Sequence, residues 1–467
     1  MRAKNQTGRS VQRGAVAAGV ALLFGCGSSS QEHRYGAMLA DLGRVAPARA
    51  SAPDGDGREL FAGAAQLDRA ALVGAVLARN PDVESARQAW RGALTEYRRA
   101  TSLEDPMLSC SFAPLSIGGG ADVPFGQEIV VEQKIPFPGK RRLAGEVALA
   151  EAEAMRSEVD SVRLELALMA SNLYDDYYLA ARSLEVNQHH GQLLGQMKKS
   201  AEAQYVAGQA SQQDPLQAEV ELANLERDRI TLEAERDTSV AQLNGLLRRS
   251  PDAPLPPPAA ELPAPPGLDA DRRELLAQAL AHRPELGAAG ARIRGGEAAM
   301  DLAGREFYPD LGVMGSYNSM WDMPEHRWMF GITLDIPLQR GRRRAATQAA
   351  EARTARARSQ DLRLRDQIAV EVARAHVRVL EGARVVRLLD ERLVPVARDQ
   401  VRAALAGFSA GKNAFTAVVD AEKNQREVEL QFHAARAELW RRVAALDRAV
   451  GQVAGLSGGA GTEGGVR

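Results

Sequence analysis

The chain has 467 residues, 25% of them charged, with 59 basic and 60 acidic side chains. That balance gives no electrostatic reason to bind nucleic acid or an acidic substrate. Aromatic residues make up only 5%, and Ala, Arg, Glu, Gln and Leu dominate; this suits long helices packed through small side chains and argues against a core of bulky rings, so an elongated shape is expected.

At the N-terminus, Arg2, Lys4, Arg9 and Arg13 precede an apolar run from Ala15 to Phe24. The run is too short to span a bilayer as a stable helix and fits the apolar region of a secretory signal. Leu23-Phe24-Gly25-Cys26, followed by GSSSQE, resembles a bacterial lipobox. Residues 1–25 then form a lipoprotein signal peptide, Cys26 is the acylated first residue of the mature chain, and 26–67 form a lipid-anchored N-terminal segment. A plain signal peptide with an incidental cysteine is the alternative. Gly27 stands where an Asp would often retain a lipoprotein at the inner membrane, so the resemblance points to the outer one. Cys110 has no disulfide partner once Cys26 is lipidated and reads as an isolated packed thiol. Residues 27–65 and 453–467, rich in Gly, Ser, Ala and Pro, read as loosely ordered.

No later segment reaches the roughly 20 apolar residues that a membrane helix requires. If the chain crosses a membrane it does so as a barrel.

The rest of the sequence is a duplication with an offset of 203 residues. Pro81, Ala86, Arg91, Gly92, Ala100, Pro106 and Leu108 fall on Pro284, Ala289, Arg294, Gly295, Ala303, Pro309 and Leu311. The offset slips to 201 at Ile135 and Ile336 and to 202 at Gly139 and Gly341, then returns to 203 where YVAG (205–208) meets FSAG (408–411). The slips lie where loops are expected. Residues 68–249 are the first repeat, 250–268 a proline-rich extended linker, 269–452 the second repeat and 453–467 a tail.

Each repeat predicts the same order of elements. A helix (81–104; 284–306) leads through Asp105-Pro106 or Tyr308-Pro309 into a short strand, a loop and a second strand. A long helix follows (139–204; 341–407), then a Gly turn and a returning helix (213–248; 414–450). In the second strands, Ile129, Val131, Ile135 and Phe137 share a face opposite Glu128, Val130, Glu132 and Lys134, and Trp328, Phe330, Ile332, Leu334 and Ile336 alternate with Met329, Gly331, Thr333 and Asp335. A half-buried soluble sheet gives this pattern too, but in an exported chain roughly 9 to 11 residues is also the length of a tilted membrane strand. Four strands cannot close a conducting barrel, so several chains must contribute. At 1.5 Å per residue the long helices are rods of roughly 100 Å.

Both strand-to-rod junctions are marked. VEQKIPFPGKRR (131–142) stops its alternation at Pro136 and Pro138, turns at Gly139 and opens the rod with Lys140, Arg141 and Arg142. TLDIPLQRGRRR (333–344) keeps Pro337 and Gly341 and follows with Arg342, but lacks the second proline, so the two elbows should bend differently. The basic groups are expected near headgroup phosphates, since a helix N-terminus disfavours cations.

The duplicated order, with QKIPFPGKRR, YVAGQASQQDPLQAEVELANL and FSAGKNAFTAVVDAEKNQREVEL as its more specific pieces, resembles the TolC family of outer-membrane efflux proteins, in particular the lipidated heavy-metal and multidrug subgroup. The resemblance covers about 68–450. It implies a mainly α fold with a small β-barrel part: duplicated long helical hairpins forming a periplasmic tunnel, and four strands per chain in a homotrimeric 12-stranded transmembrane barrel. It implies a passive exit duct for metal ions or drugs, lipid-anchored in the outer membrane and docked to a periplasmic adaptor and an inner-membrane pump, with no cofactor.

Gly208 and Gly411 are then the periplasmic tips, where glycine permits a left-handed backbone, with Ala210, Ser211, Asn413 and Ala414 keeping the tips small enough for adaptor helices. A structural helix cap explains the glycines equally. The resemblance assigns Asp420 to a carboxylate ring at the closed mouth and Asp214 to a locking contact at the tip. The sequence departs from the family at Ala417, where a second ring carboxylate would fall, and at Asn413, where a locking Arg can occur.

No catalytic arrangement is present, and the Gly-rich IGGGADV (117–123) lacks the helix that a phosphate loop needs and reads as a barrel loop. Met320, Met323 and His326 in an expected extracellular loop, and His189-His190, do not have metal-site spacing. The competing readings are a periplasmic coiled-coil adaptor or scaffold lipoprotein without a pore, for which the paired strands have no purpose, and a type I secretion outer-membrane duct.

Overall fold

The computed structural model describes residues 29–44, 60–61, 63–114, 125–208, 210–265 and 270–455. Cys26 and the loop 117–123 lie outside them. In chain order the elements are α1 (Ser29–Arg44), α2 (Arg69–Arg79), α3 (Pro81–Thr101), β1 (Met107–Phe112), β2 (Gln127–Ile135), α4 (Lys140–Val206) and α5 (Gln213–Leu246). The second repeat supplies α6 (Arg272–His282), α7 (Pro284–Arg305), β3 (Asp310–Asn318), β4 (Trp328–Asp335), α8 (Arg340–Leu388), α9 (Val394–Ser409) and α10 (Phe415–Val450). The expected order holds in both repeats, and α4 alone is 67 residues long.

Three features depart from the sequence reading. Residues 29–44 are not loosely ordered but helical, because their side chains find tertiary partners: Gln31 donates to the Arg142 carbonyl at 3.0 Å, Tyr97 donates to Glu32 at 3.1 Å, and Tyr35 stacks on Tyr97. The short helices α2 and α6 precede the first predicted helix of each repeat. Asp68 caps α2 by accepting from the Ala71 amide at 2.8 Å, and each short helix ends in an extended residue before proline, Asn80 or Arg283. The second rod is not one continuous helix, since a π turn at Leu389–Leu393 separates α8 from α9. Pro395 explains it: it has no amide to give and its ring collides with the preceding turn unless that turn widens.

The chain divides into two compact units. The first comprises the described residues of 1–45 with 87–156 and 287–361, and it holds the sheet. The strands lie in the order β1-β2-β3-β4, every pair antiparallel, with β1 and β4 at the edges. The register sorts the side chains. One face carries Leu108, Cys110 and Phe112, Ile129, Val131 and Ile135, Leu311, Val313 and Tyr317, and Trp328, Phe330, Ile332 and Leu334, with Gln127 and Gln133 among them. This apolar face is open, with Phe330 88% and Ile332 78% exposed. The opposite face carries Ser109, Ser111, Glu128, Glu132, Lys134, Asp310, Ser316, Asn318, Thr333 and Asp335, with Met107, Met314 and Met329 among them. There Thr333 donates to Glu132 at 3.1 Å. Cys110 is therefore exposed on the apolar face rather than packed.

The second unit comprises the described residues of 46–86, 157–286 and 362–467. Its main core gathers Leu72, Val73 and Val76 of α2, Tyr174, Tyr177 and Tyr178 of α4, Leu243 of α5 and Ala437 and Ala444 of α10. The described linker residues, 250–265, form no helix and are docked. Prolines offer carbonyls and no amides, and the neighbouring helices supply the donors: Tyr177 to Pro256 at 3.2 Å, Asn244 to Pro251 at 2.9 Å and Trp440 to Pro263 at 3.0 Å.

Candidate functional site

At the first elbow Pro136 follows the last paired residue of β2, and Gly139 takes φ +95, a left-handed conformation that turns the chain into α4. Lys140 does not reach outward to phosphates. Its buried ammonium donates to Asp310 Oδ1 at 2.8 Å and to the Tyr308 carbonyl at 3.4 Å. The same Oδ1 accepts from the Phe137 amide at 2.7 Å, and Phe137 stacks on Tyr308 at 4.7 Å. Arg305 donates to the Pro138 carbonyl at 3.4 Å. The cations that open α4 are thus compensated locally: Lys140 by a carboxylate and Arg141 by the Thr101 carbonyl at 2.8 Å. Arg142 is exposed.

The second elbow bends differently, as expected, but not through Gly341. After Pro337 the chain turns by two tight bonds, Leu338 amide to Ile336 carbonyl and Arg340 amide to Leu338 carbonyl, both at 2.9 Å. Gly341 already lies in the first turn of α8, with nothing within 4 Å of the position a Cβ would take. Arg342 is exposed, and the contact to the neighbouring helix is made by Arg343, which donates to the Glu306 carbonyl at 2.6 Å.

At the tips, Gly208 and Gly411 take φ +70 and +69, and in both the space around a Cβ is open. Backbone conformation, not crowding, calls for glycine there. The second tip is a complete Schellman turn, with the Gly411 amide bonded to the Phe408 carbonyl at 2.9 Å and the Lys412 amide to the Gly407 carbonyl at 2.8 Å. Asn413 folds back over Gly407, occupying the place where a side chain at 407 would begin. In the first tip Ser211 Oγ accepts from the Gln213 amide at 3.2 Å, and Asp214 sits in the first turn of α5, where its charge favours the helix dipole. Ser211 and Ala414 are exposed and Ala210 half-buried. Beneath the tips, Leu194, Met197, Ala201 and Ala218 of the first hairpin pack with Val401, Ala404, Phe415, Val418 and Val419 of the second. Asp420 lies on the opposite side of α10 from that cluster, exposed like Ala417. Among the described residues neither Asp420 nor Asp214 makes a side-chain hydrogen bond or ion pair.

Sequence reasoning dismissed His190, and the structure makes it a junction. Its ring is fully buried between two carboxylates of α10, Nδ1 to Glu422 Oε1 at 2.7 Å and Nε2 to Glu429 Oε2 at 3.1 Å. A spacing signal existed: His190 lies 18 residues before Gly208, and Glu429 lies 18 residues after Gly411. The expected loop residues Met320 and Met323 are exposed, and His326 meets Trp321 edge-on. Among the described residues no group of three or more His, Cys, Asp or Glu is placed to hold a metal ion.

Residues 275–452 match the family model described as outer membrane efflux protein. No curated protein sequence matches the chain. The fold is that of solved outer-membrane channels. The channel OprN shares 20% identity at a TM-score of 0.68, covering 87% of this chain and 95% of its own. The outer membrane protein VceC from Vibrio cholerae shares 20% at 0.69, covering 82% and 95%. CusC, whose structures concern folding and transmembrane channel formation, shares 19% at 0.68, covering 86% and 98%. The second repeat thus matches the outer membrane efflux protein model, and both repeats share the fold of these solved channels.

Proposed function

We propose that the chain is the outer-membrane duct of a tripartite efflux system, a passive exit for metal ions or drugs. The observation that carries this reading is the sheet: four antiparallel strands with one mainly apolar, exposed face, a more polar opposite face and two unpaired edges, β1 and β4. Such a sheet is unstable alone in water, because the open edges and the apolar face both require cover. Lipid covers the face, and β4 pairing with β1 of a second copy covers the edges. Three copies then close a 12-stranded barrel. Among the described residues no helix is long and apolar enough to cross a membrane.

In this reading Cys26 is acylated in the outer membrane, and the tips around Gly208, Ala210, Ser211, Gly411, Asn413 and Ala414 meet a periplasmic adaptor, which couples the duct to an inner-membrane pump. The exposure of Asp420 supports a place in the mouth of the duct, where three copies would favour cations; Asp214 serves the first turn of its helix. A scaffold without a pore gives no role to the paired strands. The mass of the assembly extracted from outer-membrane fractions tests the proposal: a detergent-dependent trimer is expected, and a monomer released without detergent overturns it.

A further inference from the structure

His190 has a hydrogen-bond acceptor on each ring nitrogen. A carboxylate accepts and cannot donate, so a neutral imidazole would satisfy Glu422 or Glu429 but turn a lone pair on the other. With both carboxyls ionised, the two bonds together require a proton on each nitrogen, which makes the ring an imidazolium. The ring belongs to α4 of the first repeat and its partners to α10 of the second, and α9 joins through Arg398, whose Nε donates to Glu429 Oε1 at 3.2 Å. The apolar cluster beneath the tips, with Leu194, Met197 and Phe415, lies along the same helices.

The charges packed around the ring are few. On α4 His189 lies edge-on at 5.5 Å. From α5, Glu221 is already paired with Lys423 at 2.6 Å and Asp228 faces Arg426 at 3.8 Å. On α10, Gln425 donates to Glu429 Oε1 at 3.1 Å. Burial opposes the charge on His190, but Glu422 and Glu429 outweigh it and the pKa is raised. Burial likewise opposes ionisation of Glu429, yet the bonds from His190, Gln425 and Arg398 hold its pKa at about 2. His433, farther along α10, has the contrary surroundings: burial lowers its pKa, with the cations of Arg182 and Arg436 adding to it, and Tyr178 OH is its neighbour at 3.5 Å.

We infer that His190 is a proton-dependent latch that fastens the first helical hairpin to the second, closed while the ring is doubly protonated and released when it loses that proton. The signs follow from linkage. A His pKa raised in the folded chain gives stability that is full below the unfolded value of about 6.5 and is lost as pH rises through the folded value. The lowered Glu429 pKa gives stability that is full above the unfolded value of about 4.3 and is lost as pH falls toward 2. The latch is therefore strongest between about pH 4.5 and 6.5 and opens on the alkaline side. Its consequence for a duct, a looser tip end at alkaline pH, rests on the function proposed above; the latch itself does not.

The test uses the full-length assembled protein carrying Cys110→Ser and Ala201→Cys, which places a thiol at a buried site of the apolar cluster beneath the tips. Its alkylation rate is compared between variants at equal pH, so that thiol chemistry cancels. At pH 6, His190→Gln should be alkylated about tenfold faster than the parent, and at pH 9 the two rates should converge. Glu429→Gln, which keeps the fold and weakens one bond, should move the parent's opening to lower pH, and His433→Gln should leave it in place. Equal rates for His190→Gln and the parent at pH 6, or a ratio unchanged between pH 6 and 9, would overturn the latch. Conductance is not read, so a chain that fails to conduct yet shows the collapsing ratio refutes the duct alone.

Discussion

Lys140, the first residue of the long helix of the first repeat, donates to Asp310, the first residue of a strand in the second repeat, at 2.8 Å. The two repeats are thus joined where rod meets sheet. Lys140→Met removes the ammonium and leaves Asp310 with only the Phe137 amide, at a cost of about 1 to 3 kcal/mol. Asp310→Asn keeps an acceptor for that amide and should cost less. Arg342→Ala, at an exposed side chain, should stay within about 0.5 kcal/mol. Thermal unfolding of the three variants in detergent, with trimer yield as a second readout, checks this order.

Much of this elbow was legible in the sequence, and its partner was not. Proline and glycine punctuation at 136–139 identifies a turn because those residues act on their own backbone. Which carboxylate meets Lys140 depends on a strand 170 residues away, and no local pattern carries that. The sheet faces were legible for the same local reason, since alternation in β2 and β4 fixes sides whatever the pairing. The headgroup role for Lys140 failed because a cation at a helix start was assumed to need lipid, while Asp310 was at hand. Helix α1 was missed because SSQEHRYGAMLADLGR has weak propensity of its own and is held by Tyr97, Arg142 and Glu146. The 203-residue offset did extend back to Asp68 and Asp271, the residues before α2 and α6, so those helices could have been found.

The tip glycines and the glycine that ends α10 should respond differently to alanine. Gly208→Ala and Gly411→Ala add a side chain into open space, so only the left-handed backbone opposes them, at about 1 to 2 kcal/mol each. At Gly451, φ is +82 and a Cβ would lie 2.9 Å from the carbonyl of His282, so Gly451→Ala should exceed about 2 kcal/mol. Unfolding temperatures of the three variants, read side by side, decide it.

The register assigns Ile332 to the apolar face and Met329 to the polar face of β4. Ile332→Arg should cost about 2 to 4 kcal/mol if that face meets the bilayer midplane, while Met329→Arg should be tolerated for assembly and change ion selectivity. Folding yield into lipid vesicles separates the two; equal losses would contradict the assignment of faces.

Asp420 is exposed, and three copies near an axis would attract cations. Asp420→Asn should lower the cation preference severalfold without changing unfolding temperature, as read from reversal potentials across a salt gradient. An unchanged preference places Asp420 away from the passage.

A conducting duct is tested most directly by the current carried by purified full-length protein in planar bilayers: discrete, long-lived conductance steps from a trimeric species are expected, and a stable protein that inserts without any steps would rule the duct out.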